Sequence, residues 1–525
     1  MTAAAAAAPA AACPDWRAFA PELGARAASW TQSAVFAREC PQGLALFSGH
    51  GERSFAQLHS AANRIAHALL ARGLMAGDAV ALMCCNRPEF VEVLLAALRI
   101  GLRLTPISTQ LTNDEARYIA LDCQARMLFV EAGLAGESID EVPRIVIGTP
   151  SYEEALAAGS PEDLESPSAG KLMLYTSGTT GRPKGVFSRA ADVVPPQFEG
   201  SFADYRPGDV QLCAGPAYHA APLLFDLRWP LASGVPIVLI EKWDAREVLR
   251  AIGQHRVTHA HMVPTMFQRL LALPESERAR YELSSLRFVV HGAAPCRVPV
   301  KRAVIEWLGP VLTEYYAATE GGDNIHVNSI DWLQRPGTVG RLDHSKGHSI
   351  LDEQGRPVLP GQVGRIYFHA PAAGRFEYFG DPGKTAAAYV GDRFTLGDLG
   401  YVDEAGWLFI TGRGAETIIS GGVNIYPREI DEALAAHPAV QAVCTVGAPD
   451  LEWGERVVSV VVPSVGHAPT PELAAALMAH GAECLAGFKR PREIVFTGEL
   501  PYTATGKLLR SQVRQRFWAG RDKQI

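Results

Sequence analysis

Short apolar runs rich in β-branched residues alternate with amphipathic stretches through about the first 340 residues, and this rhythm constrains the fold more than any other feature. Residues 236–240 and 286–290 read as buried strands, and residues 245–255 and 300–308 read as helices. Alternation of this kind predicts α/β layers. No fixed-period repeat interrupts it. At 525 residues the chain is too long for one ordinary core, so two or more domains are expected. Residues 361–411 change character, with many glycines, short strand-like pieces and turn signals at Asp381-Pro382-Gly383 and Asp403-Glu404-Ala405-Gly406. They read as a β-rich subdomain. After Arg413 a turn at Ser420-Gly421-Gly422 leads to a helix over 428–436 and strands over 440–446 and 456–462. The expectation is an α/β protein with a large N-terminal domain (1–412) of layered α/β subdomains plus the β-rich subdomain. A small mobile α+β C-terminal domain (413–525) follows, with a boundary and hinge near 413–416.

Charge excludes one class of partner. The net charge is −7 and no long basic run exists, which argues against a broad nucleic-acid surface. Apolar residues make up 48% and charged residues 20%, as in a globular enzyme. No uncharged apolar run reaches the ~20 residues that span a bilayer. The most apolar early stretch, 91–104, is broken by Arg99 and Arg103. The alanine-rich start lacks a signal-peptide pattern, so residues 1–15 are expected to be a disordered tail and the protein cytoplasmic. Nine scattered cysteines without a Cys-x-x-Cys pair read as mostly buried thiols rather than a disulfide or metal framework.

The chemistry concentrates at residues 174–186, LYTSGTTGRPKGV, at the end of an apolar run. Gly178 and Gly181 let backbone N–H groups approach an anion, Thr176, Ser177, Thr179 and Thr180 add hydroxyl donors, and Lys184 adds a mobile cation for terminal phosphates. The spacing differs from the P-loop pattern Gly-x-x-x-x-Gly-Lys-Ser/Thr. This string resembles the signature loop of the adenylate-forming superfamily, which includes acyl-CoA synthetases, nonribosomal-peptide adenylation domains and beetle luciferases. Further motifs in the family order extend the resemblance from about residue 30 to 510.

The resemblance implies ATP, Mg²⁺ and coenzyme A as cofactors, and it assigns roles residue by residue. In YYAATEGG, Tyr316 would face adenine, Thr319 the α-phosphate, and Glu320 the metal, with Thr176 as a second metal contact. Ala317 stands where the family usually has glycine. In HGAAP, Gly292, Ala293 and Ala294 would form the turn beside adenine and acyl group. Asp398 would bind the ribose hydroxyls, and Arg413 the ribose or a phosphate. Lys507, in PYTATGKLLR, would stabilise charge on the α-phosphate and leaving pyrophosphate. Gly421 and Gly422 in SGGVNIYP would line the pantetheine tunnel, Lys489 in FKRP would meet the CoA phosphates, and His219 in PAYHAAPLL would contact the acyl or thiol channel. Catalytic roles thus fall to Lys507, Thr319, Glu320 and His219.

The implied reaction has two halves: carboxylate and ATP give acyl-adenylate and pyrophosphate, then a thiol displaces AMP. Between them the C-terminal domain would rotate. Two positions after Arg413 the family usually carries Asp or Lys, whereas this chain has Ala415, which bears on that rotation. Strings such as MVPTMFQRLLALP and PGTVGR resemble ligases for fatty, steroid or bile-acid side chains, so a hydrophobic acid is expected, with an aromatic acid as the alternative. Other readings are an acyl-AMP ligase loading a separate carrier protein, a luciferase-like oxidase, and an inactive adenylate sensor. Intact Lys184, Glu320, Asp398 and Lys507 oppose the last. The partner is a small carboxylic acid. No nucleic acid or transmembrane segment is expected, and a homodimer is compatible.

Overall fold

The computed structural model describes residues 13–176, 183–188, 190, 192–420, 423–450, 453–485, 487–503 and 506–519. Among them, an eight-stranded sheet runs in the order Gly321–Asn328, Leu312–Ala318, Phe288–His291, His259–Met262, Gln211–Cys213, Ile237–Leu239, Leu44–Ser48, Arg53–Ser54. Its central pairs are parallel, and its two outermost pairs are antiparallel. A second, wholly parallel sheet orders Arg144–Ile147, Ala125–Glu131, Ala79–Met83, Arg103–Pro106 and Lys171–Leu172. The expected α/β layering is present, and the anticipated helix at Ala245–His255 has those bounds. Asp244 caps it by accepting from the backbone N–H groups of Arg246 and Glu247.

Helix Pro88–Arg99 lies in the core that both sheets share. Apart from Glu89 it is buried throughout, which accounts for its nearly continuous apolar character. Its fully buried Arg99 is tolerated because the guanidinium donates to Leu95 O, Asn63 Oδ1 and Ser33 Oγ.

The β-rich subdomain is an antiparallel sheet centred on Gly364–His369, Asp398–Val402 and Trp407–Arg413. It begins earlier than the sequence suggests, at Gly340–Arg341 and Ser349–Leu351, strands too short to show alternation. A 3₁₀ turn, Gly414–Glu416, separates it from the sheet of the small C-terminal domain. There the hairpin Val440–Asp450/Gly454–Pro463 is longer than the strands read from sequence, and helix Pro427–Ala435 starts on its proline.

Two expectations for the N-terminal stretch need correction. Residues 13–15 do not belong to a loose tail, because Cys13 is disulfide-bonded to Cys40, with Cα atoms 5.5 Å apart, and Asp15 caps the 3₁₀ turn Trp16–Phe19. The same bond makes this pair an exception to the reading of mostly buried thiols. Gly43 makes room for it, since a Cβ there would stand 2.3 Å from Cys13 Sγ. Of the other cysteines, Cys84, Cys123, Cys213, Cys296 and Cys444 are buried thiols, Cys85 is half-buried and Cys484 is exposed. Among the described residues no helix is long and apolar enough to cross a membrane.

Candidate active site

Strands Leu174–Thr176 and Lys184–Ser188 form an antiparallel hairpin in which Thr176 sits opposite Lys184. The tight pairing fixes both ends of the phosphate loop. Ser177, Gly178, Thr179, Thr180 and Gly181 lie outside the described residues. A third strand, Phe376–Tyr378, pairs with Lys184–Ser188 and carries the chain into helix Pro382–Ala388, capped by Asp381.

The turn after that strand supplies Asp381, which in sequence reads only as part of a turn signal. Lys184 Nζ lies 3.0 Å from Asp381 Oδ2, while Asp381 Oδ1 accepts from the backbone N–H of Lys384. The Lys384 backbone donor and the Lys184 ammonium hold the Asp381 carboxyl below the usual carboxylate range. The Lys384 ammonium lies 4.4 Å from the centre of the Tyr378 ring, and the Tyr378 hydroxyl donates to Glu320 Oε1 at 3.2 Å. Partial burial and the neighbouring Lys184 lower the Lys384 pKa. Two ammonium groups, Lys184 and Lys384, and two carboxylates, Asp381 and Glu320, therefore gather beside the loop. A DPGK turn after a short strand is the only local signal that could have pointed to Lys384.

Thr319 and Glu320 form the two-residue tip of the hairpin between Leu312–Ala318 and Gly321–Asn328. Gly321 closes this turn at φ +112°, a left-handed conformation suited to glycine. Tyr316, on the same strand, donates its hydroxyl to Asp398 Oδ2 at 2.8 Å. Asp398 is buried at the start of Asp398–Val402, and the register sets Arg413 opposite it on the neighbouring strand. The proposed adenine and ribose contacts are thus already coupled.

The HGAAP turn packs against that strand. A Cβ on Gly292 would stand 2.6 Å from Tyr315 Cε1 and 2.7 Å from Tyr315 O, so glycine alone fits the approach. Ala293 is held at φ +63°, a left-handed conformation costing on the order of 1–2 kcal/mol for a non-glycine residue. Ala293 is exposed and Ala294 half-buried, so the strained turn faces outward. Behind it His291 is fully buried with neither ring nitrogen hydrogen-bonded among the described residues, Nε2 lying 4.0 Å from Glu314 Oε2, and burial pushes its pKa well below the usual value.

His219 stands apart from these contacts. Its Nε2 is buried without a hydrogen-bond partner among the described residues, and burial lowers its pKa to about 4, so the ring is neutral near pH 7. It leads into a π-helical turn, Pro222–Arg228, of the kind often found at functional sites.

The C-terminal motif forms a tight hairpin. Thr503 N–H donates to Lys507 O at 2.8 Å, and Lys507 N–H donates to Thr503 Oγ1 at 3.0 Å. Lys489 is paired with Glu429, whose two carboxylate oxygens accept from its ammonium at 2.7 and 2.8 Å. Gly421 and Gly422 lie outside the described residues.

The donor set suits a hard divalent cation. Glu320 offers carboxylate oxygen and Thr176 a hydroxyl, whereas the described residues contain no cluster of three or more His, Cys, Asp or Glu side chains able to hold a metal. A cation taking most of its ligands from phosphate and water, as Mg²⁺ does with nucleotides, fits such a site.

The family model described as AMP-binding enzyme matches residues 34–375, and that described as AMP-binding enzyme C-terminal domain matches residues 429–507. A fatty acid–acyl-carrier-protein ligase of Streptomyces coeruleorubidus is 33% identical over 496 residues, covering 90% of this chain and 93% of that protein. An indoleacetate–CoA ligase of Aromatoleum aromaticum is 33% identical over 483 residues, covering 88% and 92%. Among solved structures, the amide bond synthetase of Marinactinospora thermotolerans superposes with a TM-score of 0.81 at 27% identity, covering 94% of this chain and 99% of that one. The o-succinylbenzoate–CoA synthetase of Bacillus subtilis, in complex with its acyl-adenylate intermediate, gives a TM-score of 0.77 at 26% identity, covering 93% and 98%. With its motifs in the family order and both family models matched in sequence, the chain belongs to the AMP-binding enzyme family, the adenylate-forming superfamily, and is an AMP-forming acid–thiol ligase.

Proposed function

We propose that the protein joins a hydrophobic carboxylic acid to coenzyme A through an acyl-adenylate. The observation that carries this reading is the convergence of three motifs on the Leu312–Asn328 hairpin: Glu320 beside Lys184 and Lys384, Tyr316 on Asp398, and Gly292 against Tyr315. In the first half-reaction a carboxylate oxygen attacks the α-phosphorus and pyrophosphate leaves. Lys184 and Lys384 would hold the departing phosphates, and Tyr316 and Asp398 the adenosine. Lys507 would meet the charge that grows on the α-phosphate oxygens. Mg²⁺ on Glu320 and Thr176 would supply further neutralisation of phosphate charge. In the second half-reaction the thiol sulfur attacks the acyl carbonyl and AMP leaves. A neutral His219 could then accept a hydrogen bond or a proton beside the acyl group.

The boundary at 412/413 and the hinge at 413–416 belong to the same reading. They are supported by the 3₁₀ turn Gly414–Glu416 between two separate sheets. For the acid, the wall behind Gly292 is aromatic: Tyr315 packs with Phe225, which packs with Trp229 and Phe202. Relatives named for fatty acids, indoleacetate and ferulate fit a hydrophobic acid, of fatty, steroid side-chain or aryl type. A carrier-protein thiol is the second reading. It is favoured by the engagement of Lys489 with Glu429 and by the resemblance to a ligase named for an acyl-carrier protein. AMP release measured over a panel of fatty and aryl acids, with and without CoA, tests both. Release that requires an acid and is stimulated by CoA is expected. Acid-dependent release indifferent to CoA would favour the carrier.

A further inference from the structure

The helix Pro264–Leu271 starts just after strand His259–Met262, whose Met262 pairs with His291. Register alone therefore sets Thr265, on the first turn of that helix, beside the end of the strand that leads into the HGAAP turn. From the other domain, Gly506 comes down on it. A Cβ on Gly506 would stand 2.2 Å from Thr265 Oγ1 and 3.0 Å from its Cβ and Cγ2. Gly506 is also left-handed, at φ +75°. It directly precedes Lys507, and its N–H donates to Thr503 O at 2.8 Å, so backbone bonds carry its position to the lysine. Bridge partners Tyr502 and Leu508 close the hairpin, and Tyr502 lies within electrostatic reach of Arg297, which follows the HGAAP turn. The hairpin thus meets the large domain at Thr265, next to the nucleotide turn.

We propose that Thr265 is a positioning residue for the first half-reaction: it seats Gly506 and so sets where Lys507 stands during adenylation. The inference rests on the reading of Lys507 given above. Its physical basis is close packing, since a seat that admits no methyl group leaves the hairpin little lateral freedom. A misplacement of about 1 Å can cost ~100-fold in rate. Once the small domain rotates for thiol attack, the seat is vacated and Thr265 has no part in the second step.

The test separates the half-reactions. Adenylation is followed by pyrophosphate exchange into ATP, with ferulate, indole-3-acetate and octanoate as probe acids. Thioester formation is followed from the corresponding synthetic acyl-adenylates and CoA. Thr265→Leu, which fills the seat, is expected to slow exchange ~10- to 100-fold and to leave thioester formation at the wild-type rate. Thr265→Ser is expected to retain both. Unchanged exchange in Thr265→Leu, or an equal fall in both steps, would overturn the proposal. Lys507→Ala serves as the separate control: exchange surviving in that variant would refute the role given to Lys507 itself. A second measurement needs no acid. In Thr265→Cys, a short thiol–amine cross-linker should join residue 265 to Lys507, identified by peptide mass. Absence of that peptide in the folded full-length protein would also count against the seat.

Discussion

The hydroxyl of Tyr316 donates to Asp398 across 2.8 Å, joining a strand of the large parallel-centred sheet to the first residue of a strand in the β-rich subdomain. A nucleotide whose ribose takes the place of this bond meets a carboxylate already oriented. Hydrogen bonds to charged groups contribute ~1.5–3 kcal/mol. Asp398→Ala should therefore raise the KM for ATP about 10- to 100-fold, and Tyr316→Phe by about tenfold or less. ATP titrations of pyrophosphate exchange check both, and an unchanged KM in Asp398→Ala would remove it from the ribose site.

Lys384 is placed by tertiary contacts beside Lys184 and Glu320. If it binds terminal phosphates, Lys384→Ala should raise the KM for ATP about tenfold, with Lys384→Arg intermediate because the guanidinium keeps the charge but not the point geometry. An effect on kcat alone would argue instead that the Lys384 ammonium does not bind ATP in the ground state.

Gly292→Ala forces a methyl group into Tyr315, 2.6 Å from a ring carbon and 2.7 Å from the backbone carbonyl. Overpacking of this kind costs ~1–3 kcal/mol. A lower thermal midpoint is expected, together with weaker nucleotide binding. In a Tyr315→Ala background Gly292→Ala should cost less but still something, because the carbonyl clash remains.

Burial lowers the pKa of His219 and His259 to about 4 and of His261 to about 3, against an ordinary value of 6.5. In the unfolded chain these rings take up protons near 6.5, while in the fold they stay neutral. The unfolded state therefore gains protons first, and stability should fall as pH drops from about 6.5 toward 4. Urea midpoints at pH 7 and pH 5 measure this. His259→Phe should flatten the dependence, whereas an unchanged pH slope would mean that the ring is not buried neutral.

Ala415 lies in the 3₁₀ turn between the two sheets. If this turn is the hinge, Ala415→Pro should leave pyrophosphate exchange near the wild-type rate while thioester formation collapses, because proline fixes φ and restricts the rotation. Equal loss of both half-reactions would place the hinge elsewhere.

Layered α/β architecture was legible because apolar periodicity is a local property. The amphipathic pattern gives helix Ala245–His255 the bounds it has in the structure. The catalytic motifs were legible for the same reason, as a glycine- and hydroxyl-rich loop or a Thr-Glu pair after a strand is contiguous in sequence. Lys384 was not legible, since its partners Lys184, Tyr378 and Glu320 come from three separate segments. Nor was the Lys489–Glu429 pair, which joins two side chains 60 positions apart in the sequence.

By itself, then, the sequence determined the fold class, the order of the motifs and the adenylate-forming chemistry, all of which depend on short-range patterns. Only the tertiary structure decided that Cys13 is tied to Cys40, that Tyr316 and Asp398 are bonded, and that Gly506 rests on Thr265. Those relations depend on which distant surfaces pack together. Close packing resolves them to a fraction of an ångström, a scale on which residue order along the chain carries no signal.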